Sequence, residues 1–300
     1  MKNSKAILQV PGTMKIISAE IPVPKEDEVL IKVEYVGICG SDVHGFESGP
    51  FIPPKDPNQE IGLGHECAGT VVAVGSRVRK FKPGDRVNIE PGVPCGHCRY
   101  CLEGKYNICP DVDFMATQPN YRGALTHYLC HPESFTYKLP DNMDMMEGAL
   151  VEPAAVGMHA AMLADVKPGK KIIILGAGCI GLMTLQACKC LGATDIAVVD
   201  VLDKRLTMAE QLGATVVING AKEDTIARCQ QFTEDMGADI VFETAGSAVT
   251  VKQAPYLVMR GGKIMIVGTV PGDSAINFLK INREIDGDTY LRLSGCTTGI

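Results

Sequence analysis

The stretch KIIILGAGCIGLMTLQACKCLG, Lys171–Gly192, decides how the second half of the chain is read. Three isoleucines and a leucine run straight into GAGCIG, Gly176–Gly181, and a segment with helical apolar spacing follows at once. A strand that turns through glycines into a helix offers free backbone N–H groups and the positive end of the helix dipole, which together attract phosphate. A GxGxxG on its own is weak, since any α/β protein can carry a glycine-rich turn. Here the next apolar run, DIAVVD, ends in Asp200, about twenty positions after Gly181, the separation expected of an acid that reaches a dinucleotide ribose. Gly176 allows the tight turn, Gly178 lets a pyrophosphate approach the backbone, and Gly181 lets the helix pack on the sheet. Ile180, inside the loop, is expected to touch the cofactor with them. A carboxylate at Asp200 accepts both ribose hydroxyls and repels a 2′-phosphate, which favours NAD over NADP. Arg205, five residues on, is the contrary feature: it can serve NADP or lie against the adenosine.

Working outward, DIAVVD, TVVIN, ADIVFETAG and GGKIMIVG are further apolar runs separated by segments of helical spacing. That alternation predicts a parallel sheet with crossover helices. Val267 and Gly268, at the end of the last run, are expected cofactor contacts. Pro255 is expected to shorten or kink a helix. Before about residue 155 the texture differs. Short alternating runs such as EVLIKVEYVG, HECAGTVVAVG and DRVNIE, cut by turns like KPGD, predict an all-β region. The expected organisation is a β domain over residues 1–155, an α/β domain over 156–285, and an atypical tail over 286–300.

The 29 basic and 35 acidic residues include no basic run, which argues against nucleic acid as the main partner. No charged leader and no stretch of 18 unbroken apolar residues is visible, so a cytoplasmic protein in a reducing compartment is expected. In that setting the twelve cysteines point to metal rather than disulfides. Cys95, Cys98, Cys101 and Cys109 follow a C-x2-C-x2-C-x7-C spacing, four thiolates that fill one tetrahedral structural zinc site. A second constellation precedes this clip. GICGSDVHG crowds Cys39, Ser41, Asp42 and His44 together, GHECAG supplies His65 and Glu66, and VEP supplies Glu152. Thiolate, imidazole and carboxylate together suit a metal site that keeps one position open. The remaining cysteines, Cys67, Cys130, Cys179, Cys188, Cys190, Cys229 and Cys296, are expected mostly as buried small residues.

In GICGSDVH, GHECAGTVVAVG, the cysteine clip, YKLPDN, VEPAAVGMHA and GAGCIG with Asp200, the chain resembles the zinc-dependent medium-chain dehydrogenases, most of all the sorbitol (polyol) branch. The resemblance runs to about INRE, at Glu284. It implies a GroES-like β catalytic domain, then a Rossmann domain, with the active site between them. It further implies that Cys39 and His65 bind a catalytic zinc, with Glu66 and Glu152 as carboxylates held directly or through water; which of the two is direct stays open. Asp42 then matches an outer acid that holds the His65 tautomer. Ser41 and His44 match a proton relay, Glu66 an acid-base partner, and Phe46 and Phe114 possible walls of the substrate pocket. The implied reaction takes hydride from a secondary hydroxyl of a polyol to NAD and leaves a ketose-type product. Glu152 stands where simple alcohol dehydrogenases usually carry a second cysteine, which shifts the expected substrate toward polyols. The zinc motifs overlap with those of L-threonine 3-dehydrogenases, a second enzymatic reading.

Two departures from the polyol pattern stand out. Gly45 follows the relay histidine where an aromatic is common, and Phe46 comes one place later. After INRE the chain reads IDGDTYLRLSGCTTGI, without the closing strands of the family. An unpaired sheet edge would then favour association or instability, and the corresponding expectation is a shortened zinc- and NAD-binding product of reduced or lost activity. The family forms dimers and tetramers through the nucleotide-domain edge near SAINF; for this chain a homo-oligomer is an open expectation. A zinc-ribbon nucleic-acid binder is disfavoured by the acidic balance and the cofactor loop.

Overall fold

The computed structural model describes residues 2–270 and 272–277. Two compact units divide after Glu152.

The first unit holds β1 (Asn3–Val10), β2 (Thr13–Ala19), β3 (Glu28–Gly37), helix α1 (Gly40–Ser48), β4 (Ile61–Gly62), β5 (Glu66–Val74), β6 (Arg86–Ile89), β7 (Gly92–Val93), helix α2 (Arg99–Leu102), β8 (Asp113–Phe114), β9 (Tyr128–Pro132), β10 (Thr136–Lys138) and helix α3 (Met145–Ala149). Its main sheet is antiparallel in the order β10-β6-β5-β3-β9, beside a three-stranded sheet β2-β1-β4 and a two-stranded ribbon β7-β8. Inward-facing Val29, Ile31, Val71, Val87 and Ile89 form its core with Phe81 and Cys67. Register shifts in β3 opposite β5 bend the pair, so that the end of β3 brings Gly37 opposite Glu66. The chain then enters α1 with Cys39 as its N-cap.

Helix α4 (Val151–Leu163) begins in this unit, and the second unit starts at Pro153. It continues through β11 (Lys171–Leu175), α5 (Cys179–Cys190), β12 (Asp195–Asp200), α6 (Asp203–Gln211), β13 (Val216–Asn219), α7 (Thr225–Thr233), β14 (Ala238–Glu243), α8 (Ala248–Gln253) and β15 (Val258–Ile266). Among the described residues its five strands are all parallel, in the order β13-β12-β11-β14-β15. Alternate residues feed two separate cores. Ile172, Ile174, Val198 and Phe242 pack on one face, and Ile173, Leu175, Val199 and Val241 on the other. Burial on both faces is why these strands read as unbroken apolar runs rather than alternating ones. Helix α8 stops at Gln253, and Pro255 lies in the 3-10 turn Ala254–Tyr256 that follows, where its ring blocks further α-helix. The strand order reverses between β11 and β14, and at such a switch point the strand ends part to leave a crevice.

Residues 274–277 of SAINF carry no strand, and Phe278, the tail over 286–300 and Cys296 lie outside the described residues. Of the other spare cysteines, Cys67, Cys188 and Cys229 are buried as expected, but Cys179 and Cys190 are exposed and Cys130 is half-buried. Both exposed cysteines sit on α5, where only the stripe facing the sheet is covered.

Candidate metal centres and dinucleotide loop

Cys95, Cys98, Cys101 and Cys109 come together as one group, with no disulfide among the described residues. Their sulfurs stand 3.9 Å (Cys95–Cys101), 3.4 Å (Cys98–Cys101) and 3.8 Å (Cys98–Cys109) apart. Zinc–sulfur bonds of about 2.3 Å in a tetrahedron require edges of about 3.8 Å, so four thiolates here fit one ion. Backbone N–H groups of His97 and Cys98 pull the Cys95 thiol down to about 6, while burial and the neighbouring Cys98 sulfur push Cys101 up to about 12. Four thiols this close cannot all ionise unless a cation joins them. Of residues 95–109 only Cys109 is buried, so this lobe has no apolar core and a metal would take that part.

Cys39, His65 and Glu66 form a second group, their ligand atoms all within 4.8 Å of one another. Strand pairing accounts for the meeting: β5 starts at Glu66 opposite Gly37, and Cys39 follows two residues later. Burial pushes the Cys39 thiol up, partly offset by hydrogen bonds from Ser41, and the Glu66 and Asp42 carboxylates push it further. Glu66 is likewise raised by burial, against His65 and a hydrogen bond from Cys39. Glu152 lies outside the group of three yet feels His65, Glu66 and Asp42; burial pushes it up to about 7. Three acidic groups, Glu66 buried and Cys39 and Glu152 half-buried, are each disfavoured as an anion, a donor set that a divalent cation would stabilise.

Asp42 is buried, but its role in the structure differs from the expected one. Its Oδ1 is 3.9 Å from His65 Nδ1, too long for a hydrogen bond. Instead Oδ1 accepts from the Gly64 N–H at 2.7 Å and Oδ2 from the Cys39 N–H at 3.0 Å. The carboxylate therefore pins the backbones that carry both donors, the side chain being too short to span to the ring as well. Ser41 lies against the Cys39 sulfur. The His44 ring stacks on Phe51, with centroids 3.8 Å apart and planes 6° from parallel. Phe114 is 5.5 Å from the His65 ring, whereas Phe46 is exposed and has no ring contact among those described.

In the second unit Gly176 has φ +108°, a conformation that L side chains avoid. A Cβ at Gly181 would lie 1.9 Å from the Gly176 carbonyl oxygen, so this glycine sets how closely α5 packs. A Cβ at Gly178 would meet nothing within 4 Å: the space beside it is open, as a pyrophosphate there requires. Asp200 accepts from the Ala177 N–H at 2.7 Å and from the N–H groups of Val201 and Leu202, so its carboxylate also ties β12 to the glycine loop. Arg205 Nη1 lies 3.7 Å from Asp200 Oδ2. Ile180 is half-buried in the loop. Val267 and Gly268 both donate to the Glu243 carbonyl, at 2.8 and 2.9 Å.

Two neighbours were not singled out in the sequence. Glu243, wholly buried at the end of β14, accepts through Oε1 from Ala245 N–H, Gly246 N–H and Thr250 Oγ1, and so shapes the turn beside Gly176. A charge closing the apolar run ADIVFE was its only signal. Phe51 had none, because its partner His44 lies across a loop.

The chain is similar to known proteins over both units. Residues 25–141 match the family model of the alcohol dehydrogenase GroES-like domain, and residues 179–298 that of the zinc-binding dehydrogenases, which extends past Glu284. A zinc-type alcohol dehydrogenase-like protein of Escherichia coli (strain K12), YdjJ, is 97% identical over 97% of this chain and 84% of its own length. The sorbitol dehydrogenase of Bacillus subtilis (strain 168) is 44% identical over 88% of this chain and 74% of its own. Among solved structures, a Sinorhizobium meliloti 1021 chain holding NADP superposes with a TM-score of 0.85, at 32% identity, over 94% of this chain and 81% of its own. With a GroES-like unit carrying the metal donors and a Rossmann unit carrying the glycine loop, this chain belongs to the zinc-dependent medium-chain dehydrogenases, as a sorbitol dehydrogenase-like member.

Proposed function

We propose that the chain oxidises a secondary hydroxyl of a polyol or sugar alcohol to a ketose-type product, with NAD as hydride acceptor. The observation that carries this reading is the Cys39–His65–Glu66 group, half-buried at Cys39 and buried at the other two, with Glu152 nearby and distinct from the four-cysteine clip. One thiolate, one imidazole and carboxylates make a donor set that leaves room for a substrate oxygen, unlike a closed site of four thiolates. Zinc bound there would supply Lewis acidity that eases loss of the alcohol proton.

The chain's own groups do the rest. Asp42 holds the backbones of Cys39 and Gly64, fixing the spacing of the donors. Ser41 Oγ is the first acceptor of the substrate proton, and the His44 imidazole, on the same helix, passes it outward. Glu66 and Glu152 are the carboxylates beside the reacting hydroxyl, and Phe114 packs against the His65 ring. Gly176, Gly178 and Gly181 with the N-terminus of α5 bind the pyrophosphate, and Asp200 favours the unphosphorylated ribose. Four thiolates at Cys95, Cys98, Cys101 and Cys109 would hold a second, structural zinc.

The test is reduction of NAD and, separately, NADP by the zinc-loaded protein with sorbitol, xylitol, other polyols, simple alcohols and L-threonine. Turnover of a polyol with NAD is expected. Preference for L-threonine, for simple alcohols or for NADP would overturn the corresponding part of the reading.

A further inference from the structure

Gly37 closes β3 directly opposite Glu66, the first residue of β5. A Cβ built on Gly37 would lie 2.1 Å from Glu66 Oε2, 3.0 Å from its Cβ and 3.2 Å from its Cδ. The Glu66 side chain therefore lies back across the end of β3, in the space that any other residue at position 37 would fill. From there its carboxylate meets Cys39, two residues further along the chain, and lies within 4.8 Å of the ligand atoms of Cys39 and His65. Glu152, the other carboxylate of the site, is outside that radius. The backbone at Gly37 is not left-handed, so position 37 has no conformational need for glycine. The three atoms nearest to such a Cβ all belong to Glu66.

We propose that Gly37 is a positioning residue: the missing side chain at the end of β3 leaves the space in which the Glu66 carboxylate reaches the Cys39–His65 group. The inference rests on the reading of that group as a zinc site. A side chain at 37 would displace the carboxylate, leaving the metal with two protein donors and a more distant acid.

The experiment measures zinc content and zinc affinity, by chelator competition, on the full chain and on Gly37→Ala, Glu66→Ala and the double variant. The wild-type chain is expected to hold two zinc ions. Gly37→Ala is expected to bind the second ion about 10- to 100-fold more weakly, as lost supporting contacts commonly do, while the ion of the four-cysteine clip stays. In the Glu66→Ala background the same change at 37 is expected to add less than about twofold. Cobalt replacement gives an independent readout, because the thiolate-to-metal band of the one-cysteine site would change in Gly37→Ala only while Glu66 is present. Unchanged affinity in Gly37→Ala, or an equal loss with and without Glu66, overturns the role of Gly37. A wild-type chain that holds only the ion of the four-cysteine clip overturns the zinc reading itself, and the inference with it. Melting curves with saturating zinc verify that each variant is folded when its affinity is read.

Discussion

Two alanine substitutions three residues apart in one loop should have opposite signatures. Gly178 caps α5 with φ −71° and ψ −173°, an extended conformation open to any residue, and its Cβ would meet nothing within 4 Å. Gly178→Ala should therefore fold normally and gain about 0.4–1 kcal/mol, because alanine restricts the unfolded chain more than glycine does. The same methyl would stand where the pyrophosphate approaches the backbone. Overpacking of about 1–3 kcal/mol corresponds to cofactor binding weaker by roughly 5- to 150-fold. At Gly181 the order is reversed. Its Cβ would lie 1.9 Å from the Gly176 carbonyl oxygen and 2.8 Å from Thr244 Oγ1, atoms held by β11 and by hydrogen bonds from Thr244 to the Leu175 and Gly176 carbonyls. Helix α5 must move away from the sheet, at about 1–3 kcal/mol or more, or roughly 2–12 °C in Tm. Melting curves without cofactor and fluorescence titration with NADH separate the two effects. Cofactor binding unchanged in Gly178→Ala would place the pyrophosphate elsewhere, and a Tm for Gly181→Ala at or above that of Gly178→Ala would refute the packing argument.

Cys101→Ser should remove one zinc equivalent and open residues 95–109 to protease, because that lobe buries only Cys109; metal analysis and limited proteolysis check both, and an intact, uncut lobe would contradict it. Asp200→Asn keeps an acceptor for the Ala177 N–H but removes the charge, so the ratio of NAD to NADP turnover should fall about tenfold or more, read from kcat/KM with each cofactor. His131, buried with its Nε2 2.9 Å from the Glu90 carbonyl, is held down to about 4 by burial, with Arg122 adding and the Glu90 contact, Glu28 and Asp113 opposing. Its folded value lies below the ordinary 6.5, so the unfolded chain takes the proton first; stability is full above about pH 6.5 and falls by up to about 3 kcal/mol toward pH 4. Urea titrations of His131→Gln should show that part of the pH dependence gone, and an unchanged slope between pH 4 and 6.5 would exclude His131 as its source.

Local order along the chain determined much of what is described. The apolar runs from Lys171 onward, the spacing of GAGCIG to Asp200 and the C-x2-C-x2-C step are written in consecutive residues, because strands, glycine turns and chelate loops are built from near neighbours. The donors Cys39, His65 and Glu66 were legible as residue types in suggestive motifs, but their meeting depended on the pairing of β3 with β5, which sequence does not state. Asp42 shows the limit most clearly. The family resemblance pointed it to the His65 ring, yet the carboxylate holds the Gly64 and Cys39 N–H groups, because distances across the fold decide which donor a short side chain reaches. Gly37 carried no signal as a single letter, and its meaning arises from the Glu66 carboxylate lying across it from another strand. Residues close in sequence specified the elements and the chemistry at hand; the packing of distant strands decided which of those groups touch, since contact is a property of three-dimensional distance alone.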